Sequence, residues 1–135
     1  MKVLHLTLKK KWFDMIASGE KTEEYREVTN FILPRLIELE EPFHLADAYI
    51  LYHSVREAFW FSVGYRRTKE LALEFIFSMC AKWKSYDAVT FINGYRKDSK
   101  RITVKFLGVE YKEGREDWGA EAGNKYFVIK LGERL

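Results

Sequence analysis

Val3 to Leu8 alternate, with Val3, His5 and Thr7 on one side and Leu4, Leu6 and Leu8 on the other. That period of two predicts a strand with a buried face. From Lys10 to Ser18 the period changes: Trp12, Phe13, Ile16 and Ala17 recur at helical spacing, and Gly19 stands where a helix ends on a glycine. Lys21 to Val28 reads as a charged strand, or a turn followed by a strand. Asn30 to Leu39 fits a short helix limited by Pro34, and His44 to His53 is ambiguous between helix and strand. Ser54-x-x-Glu57 has the form of a capping box, Gly64 breaks the helix that follows, and Thr68 is a second N-cap candidate. The stripe Ala72, Phe75, Ile76, Met79, Cys80, Trp83 predicts an amphipathic helix.

Beyond Lys84 the pattern turns to strands. Ala88 to Ile92 is a near-continuous apolar run. In Arg101 to Lys112, Ile102, Val104 and Phe106 alternate with Thr103, Lys105 and Leu107. In Lys125 to Leu131, Tyr126 and Val128 alternate with Phe127, Ile129 and Leu131. Asn93-Gly94 and Gly114 mark turns. A strand, a helix, a strand, a helical middle and three closing strands favour α+β over a doubly wound sheet. The expected packing is a small curled sheet or barrel with helices outside it. No Pro/Gly/Ser-rich linker or internal repeat divides the chain, so residues 1–135 read as one domain with a helical insertion at about 44–84.

Composition narrows the classes. With 135 residues, 47% hydrophobic and 32% charged, the chain has the balance of a globular protein. The 23 Lys and Arg against 20 Asp and Glu give a net charge of +3, which permits an anionic partner without demanding one. Cys80 alone excludes an internal disulfide framework and a multi-cysteine zinc site. Lys9, Lys10 and Lys11 interrupt the first apolar stretch too early for a signal peptide, and Ala58 to Val63 falls well short of a membrane span. A cytoplasmic protein without a membrane partner, metal or cofactor is the simplest expectation. His5, His44 and His53 match no zinc spacing and read as core or surface histidines. Cys80 lies on the apolar stripe and reads as an inert thiol. Trp60 and Trp83 read as core or helix-docking residues.

Candidate chemistry concentrates in Gly19-Glu20-Lys21-Thr22-Glu23-Glu24-Tyr25-Arg26-Glu27. In a strand, Thr22, Glu24 and Arg26 share one face, and a bend near Thr22 would swing Lys21 toward Glu24 and Arg26. Two cations and a carboxylate in one place suit a phosphate and a base amide or amino group. An edge strand laced with Glu and Lys to blunt edge-to-edge pairing explains the same composition.

The order Gly19-x-Lys21-x-x-Glu24-x-Arg26, preceded by the helix Trp12 to Ser18, resembles the signature of ASCH domains, which are small β-barrels of the PUA-like superfamily. The likeness continues in Tyr86-Asp87-Ala88-Val89-Thr90-Phe91 with Asn93-Gly94-Tyr95, and in Trp118-Gly119-Ala120 ahead of Tyr126 to Leu131. It covers roughly Val3 to Arg35 and Tyr86 to Leu131. The resemblance implies a PUA-like β-barrel whose wall holds a cleft for RNA or a nucleotide. Lys21, Glu24 and Arg26 would lie in or beside it, with Asn93, Gly94 and Tyr95 as its far wall. The helical block at about 44–84 exceeds what compact members of the family carry.

Some relatives of this fold resemble amidohydrolases that deacylate N4-acetylcytidine, whose pattern has a Thr three residues after the Lys. Here Glu24 holds that position and Thr22 is the nearest hydroxyl. A lysine acts as base or nucleophile only when its ammonium gives up its proton near neutrality. A neighbouring carboxylate favours the charged form, so Lys21 reads as a binding cation. Were the protein an enzyme, an amidohydrolase or a ribonuclease, Lys21 and Glu24 would be its catalytic pair.

Basic residues with aromatics among them are the second signal: Tyr95, Arg96, Lys97, Lys100, Arg101 and Lys105; Tyr65, Arg66, Arg67 and Lys69; and Lys9 to Lys11. Cations for phosphates and ring faces for unstacked bases are how single strands are held. Solvated loops and helix ends are commonly basic too. For any one cluster that plainer account is the stronger; three clusters together with the PUA-like resemblance make RNA or a nucleotide the leading partner, with Lys21, Glu24, Arg26, Asn93, Tyr95, Arg96, Lys97 and Arg101 as binding candidates. Trp118, between Asp117 and Gly119, suits a barrel plug or a stacking platform equally. An interaction module, with residues 54–84 meeting a protein or a second copy, is the third class.

Overall fold

The computed structural model describes the backbone of residues 1–135 and every side chain except those of Phe61, Ser62, Val63, Tyr65 and Arg66. In chain order the elements are β1 (Val3–Leu8), α1 (Lys10–Ala17), β2 (Glu23–Arg26), α2 (Leu33–Leu36), β3 (Ile37–Leu39), α3 (Ala48–Val63), α4 (Tyr65–Met79), β4 (Ala81–Trp83), β5 (Ala88–Asn93), β6 (Arg101–Glu113) and β7 (Lys125–Arg134), with a 3-10 turn at Glu116–Trp118. The fold is α+β. Two compact units make it up: Met1–Val28 with Ser85–Leu135, and Thr29–Lys84.

The first unit is a five-stranded sheet in the order β1-β5-β6-β7-β2. β1 runs parallel to β5, and the remaining pairs are antiparallel. Leu4, Leu6 and Leu8 of β1 are buried, as the alternation predicts. β5 is buried without a break from Ala88 to Phe91, which suits its apolar run. β7 goes further than its alternation suggests. Tyr126, Phe127, Val128 and Ile129 are all buried, because Tyr126 and Val128 pack with Ala120 and Tyr25 on the other face.

The sheet curls into a half-barrel. The register of β6 against β7 shifts between Val104 and Phe106 and again between Phe106 and Gly108. Such irregularities bend a strand and tighten its twist. Gly108, at φ +121°, supplies a backbone that a side chain would resist. The curl leaves β1 and β2 as the two edges of the sheet.

The second unit holds α2, the β3–β4 ladder, α3 and α4, and its core is built on Leu33, Leu36, Tyr52, Leu73 and Ile76. It departs from the sequence reading in several ways. α3 begins at Ala48, capped by Asp47 Oδ1, which accepts from Tyr49 N at 2.9 Å and Ile50 N at 3.0 Å. Ser54 is therefore inside the helix, its hydroxyl turned back on Ile50 O at 2.9 Å. The first four N–H groups of a helix lack partners within it, and Asp47, upstream of the capping-box pattern, meets two of them. Gly64 does end α3, but α4 starts at once at Tyr65, so Thr68 is a buried first-turn residue and not a cap. Of the amphipathic stripe, Ala72, Ile76 and Cys80 are buried while Phe75 and Met79 are 42% and 46% exposed. Trp83 leaves the helix for β4, opposite Ile37. Asn30 to Leu39 divides into the one-turn α2 and β3, where the sequence suggested a helix alone. Among the described residues no helix is long and apolar enough to cross a membrane.

Candidate functional site: a cleft between the sheet edges

The site begins where α1 ends. Gly19 takes φ +85° and its N–H donates to Ile16 O at 3.1 Å, while Lys21 N–H reaches back to Met15 O at 3.0 Å. These bonds fold the chain over the end of the helix before β2 begins. Lys21 therefore joins from an irregular turn, and Glu24 and Arg26 from one face of the strand.

The three meet. Lys21 Nζ donates to Glu24 Oε1 at 2.9 Å, and Arg26 Nε donates to Glu24 Oε2 at 3.1 Å. Tyr25 N–H adds a bond to Oε1 at 3.2 Å, and Arg26 Nη2 lies 2.9 Å from Oε2. Both carboxylate oxygens are thus engaged by the protein's own donors, so Glu24 orients two cations. Arg26 Nη2 also donates to Thr7 O at 2.9 Å, which ties the β2 edge to the β1 edge. The side chains of Lys21 and Glu24 are 2% and 6% exposed, against 24% for Arg26.

Above this cluster lies a cleft of about 460 Å³, bounded by the end of β1, by Trp12 of α1, by β2, by Gly94 and Tyr95 after β5, and by Trp118 and Gly119. Its size falls in the usual range for small-molecule sites. Aromatic rings stand around the cations. Lys21 Nζ is 4.7 Å from the centroid of the Trp12 ring and 5.6 Å from that of Tyr25. Such contacts stabilise a desolvated ammonium. Gly119 is required here. It has φ +104°, and a Cβ on it would stand 3.0 Å from the Trp12 ring. Gly114 is required for a different reason, because its Cβ would lie 2.7 Å from the Tyr25 ring.

Tyr25 is fixed at both ends. Its backbone pairs with Val128, and its hydroxyl donates to Glu23 Oε1 at 2.7 Å while accepting from Arg115 N–H at 3.0 Å. Burial pushes the phenol up to about 12, reinforced by the Glu23 carboxylate and opposed by the Arg115 N–H. A raised value in the folded state favours the neutral phenol. Its stabilisation is complete below the ordinary value of about 10 and is lost as pH climbs through 12. The urea midpoint of the wild type is expected to fall more steeply between pH 10 and pH 12 than that of Tyr25→Phe. Parallel curves would show that Tyr25 titrates like a solvated phenol. Nearby, the Asp117 carboxylate is held below its usual range by its hydrogen bonds with Arg115, whose guanidinium sits 4.0 Å from the Trp118 ring centroid.

Of the residues named from the sequence, Lys21, Glu24, Arg26 and Tyr95 line the cleft, with Gly94. Asn93, Arg96, Lys97 and Arg101 do not line it. Asn93 is half-buried at the end of β5, Arg96 and Lys97 are exposed in the turn beyond Tyr95, and Arg101 opens β6 in register with Ile92. Trp118 is buried at 7% exposure and still lines the cleft, so it serves as packing and wall together. Thr7, Lys9 and Trp12 are lining residues that the sequence did not single out for the site. Lys9 carried a hint as part of a basic run. Trp12 carried one through its place on the helix before the motif. In the cluster Tyr65, Arg66, Arg67 and Lys69, the side chains of Tyr65 and Arg66 lie outside the described ones, and Arg67 is exposed on the second unit. His5, His44 and His53 are exposed, and among the described residues no three His, Cys, Asp or Glu side chains gather as metal ligands. Cys80 is buried, and burial pushes its thiol up. Comparison with family models, with characterised proteins and with solved structures yields no match to this chain.

Proposed function

We propose that this protein is an ASCH-type, PUA-like domain that binds RNA or a nucleotide in the cleft between β1 and β2. The observation that carries the reading is the floor of the cleft, where Lys21 and Arg26 are held on one buried carboxylate beneath aromatic walls. Cations for a phosphate and ring faces for a base are the two needs of a single-stranded nucleic acid or a nucleotide. Three cations, Lys9, Lys21 and Arg26, face one carboxylate, Glu24, along the lining. Their excess positive charge favours an anionic ligand.

Binding fits this floor better than hydrolysis does. A carboxylate whose oxygens are already engaged has little left to accept a substrate proton, and an ammonium donating to it is no free amine. Turnover of N4-acetylcytidine or RNA by the wild type, lost in Glu24→Gln, would reverse that preference.

Tyr95 provides a test that leaves the fold alone, because it is 96% exposed. Tyr95→Ala is expected to weaken binding of a labelled single-stranded RNA about 5- to 100-fold at low salt, the equivalent of one stacked base. Lys9→Gln should weaken it less and flatten the dependence on salt. Anisotropy titrations check both. Equal affinity of the wild type and the two variants would dismiss the cleft as the binding surface.

A further inference from the structure

The floor of the cleft offers hydrogen-bond donors and almost no acceptor. Glu24 Oε1 receives Lys21 Nζ and Tyr25 N–H, and Oε2 receives Arg26 Nε with Nη2 at 2.9 Å. A carboxylate has about four lone-pair sites, so these contacts occupy the group. The donors are less committed. The Lys21 ammonium has three N–H bonds, and its hydrogen bond within the described residues is the one to Glu24. Arg26 places Nε and Nη2 on Glu24 and Thr7, and Nη1 has no acceptor among the described residues. An amino group or an amide N–H from a ligand would find the carboxylate occupied and the Thr7 carbonyl already accepting from Arg26. A group rich in acceptors would.

Charge sharpens the choice. Two cations stand against one carboxylate on the floor, and Lys9 adds a third on the wall. A buried charge without a counter-charge is costly, so the complement of this floor is an anion. Access sharpens it again. The Lys21 side chain is 2% exposed. The flank of a chain that continues in both directions cannot close on so recessed an ammonium, whereas the end of a ligand can.

Resting on the reading of the cleft as a nucleotide or RNA site, we infer that its floor takes a terminal phosphate. The monoester end of a nucleotide or of an RNA chain enters, and the adjoining base lies among Trp12, Tyr25 and Tyr95. An internal phosphodiester carries one charge and two ester links, and it satisfies the floor less well. A terminal monoester carries close to two charges and three free oxygens, matching the surplus of cations.

The test compares ligands on the unaltered protein. A short single-stranded RNA bearing a 5′- or 3′-terminal phosphate is titrated beside the same RNA with hydroxyl ends. Nucleoside monophosphates are titrated beside nucleosides, and an N-acetylated amino acid serves as a carboxylate of similar reach. Binding roughly 10- to 100-fold tighter with the terminal phosphate, in either the RNA or the mononucleotide pair, is expected from one or two charge-assisted hydrogen bonds. Arg26→Lys, which keeps the charge and loses the planar fork, should shrink the ratio between the affinities of the phosphorylated and the hydroxyl-ended ligands. If neither the RNA pair nor the mononucleotide pair shows that preference while the RNA still binds, the terminal-phosphate assignment fails and the RNA reading stands. If the carboxylate binds and the phosphates do not, the assignment fails on chemistry. If none of the nucleic acid ligands binds, both readings fail.

Discussion

Glu24→Ala is expected to destabilise the protein by about 3–5 kcal/mol, the cost of stripping one partner from a buried ion pair. The reason is visible in what remains. Lys21, at 2% side-chain exposure, would lose its acceptor, and Arg26 would lose the carboxylate that holds its Nε. Urea denaturation reads the loss as a shift of the midpoint at constant slope. Replacing Lys21 and Glu24 together by Met and Leu should recover part of it, because the buried ammonium goes with its carboxylate and the cation left without an ion pair, Arg26, is 24% exposed and keeps its bond to Thr7 O. A loss below about 1 kcal/mol in Glu24→Ala would mean that both cations relax into water as exposed pairs do. The same burial makes Lys21→Ala a probe of folding as well as of binding, and this is why the exposed Tyr95 and Lys9 are the better reporters of ligand affinity.

Phe127→Ala is expected to cost a comparable ~3–5 kcal/mol through the cavity it opens. Phe127 is fully buried on β7, faces Tyr111 with ring centroids 5.7 Å apart, and is the register partner of Arg26. Phe127→Leu should cost about 1.5 kcal/mol or less, since most of the volume is kept. Calorimetry or urea melts separate the two. β7 lies between β6 and β2, so weakening it loosens the strand that carries Glu24 and Arg26. Ligand affinity should fall with stability in Phe127→Ala, in contrast to Tyr95→Ala, where affinity alone falls.

The strands of the first unit were legible because their patterns are local. Alternation in Val3 to Leu8 and the apolar run from Ala88 give the burial directly. The convergence of Lys21, Glu24 and Arg26 was legible for the same reason: a bend before a strand is a short-range event written in a glycine and a spacing. The far side of the cleft was harder. Gly119 stands against the Trp12 ring and Trp118 lines the same cleft, and no sequence period reports a contact made by a loop. Asn93 was placed on that wall as the end of a central strand, yet the lining passes to Gly94 and Tyr95 because the turn there redirects the chain. In the second unit, competition between caps misled the reading. Asp47 captures the helix start upstream of Ser54, and β4 claims Trp83 from the stripe because its backbone finds Ile37 as a partner.

The parallel pairing of Val3 with Ala88 and the pairing of Arg26 with Phe127 have a bearing on how the molecule comes into being. On a ribosome, the segment carrying the ammonium, carboxylate and guanidinium emerges well before the strands that shelter it. Until then those charges remain hydrated and the leucines of β1 stay without neighbours. Long-range closure of this sort is slow relative to helix formation, so the pocket should mature after the helices that precede β5.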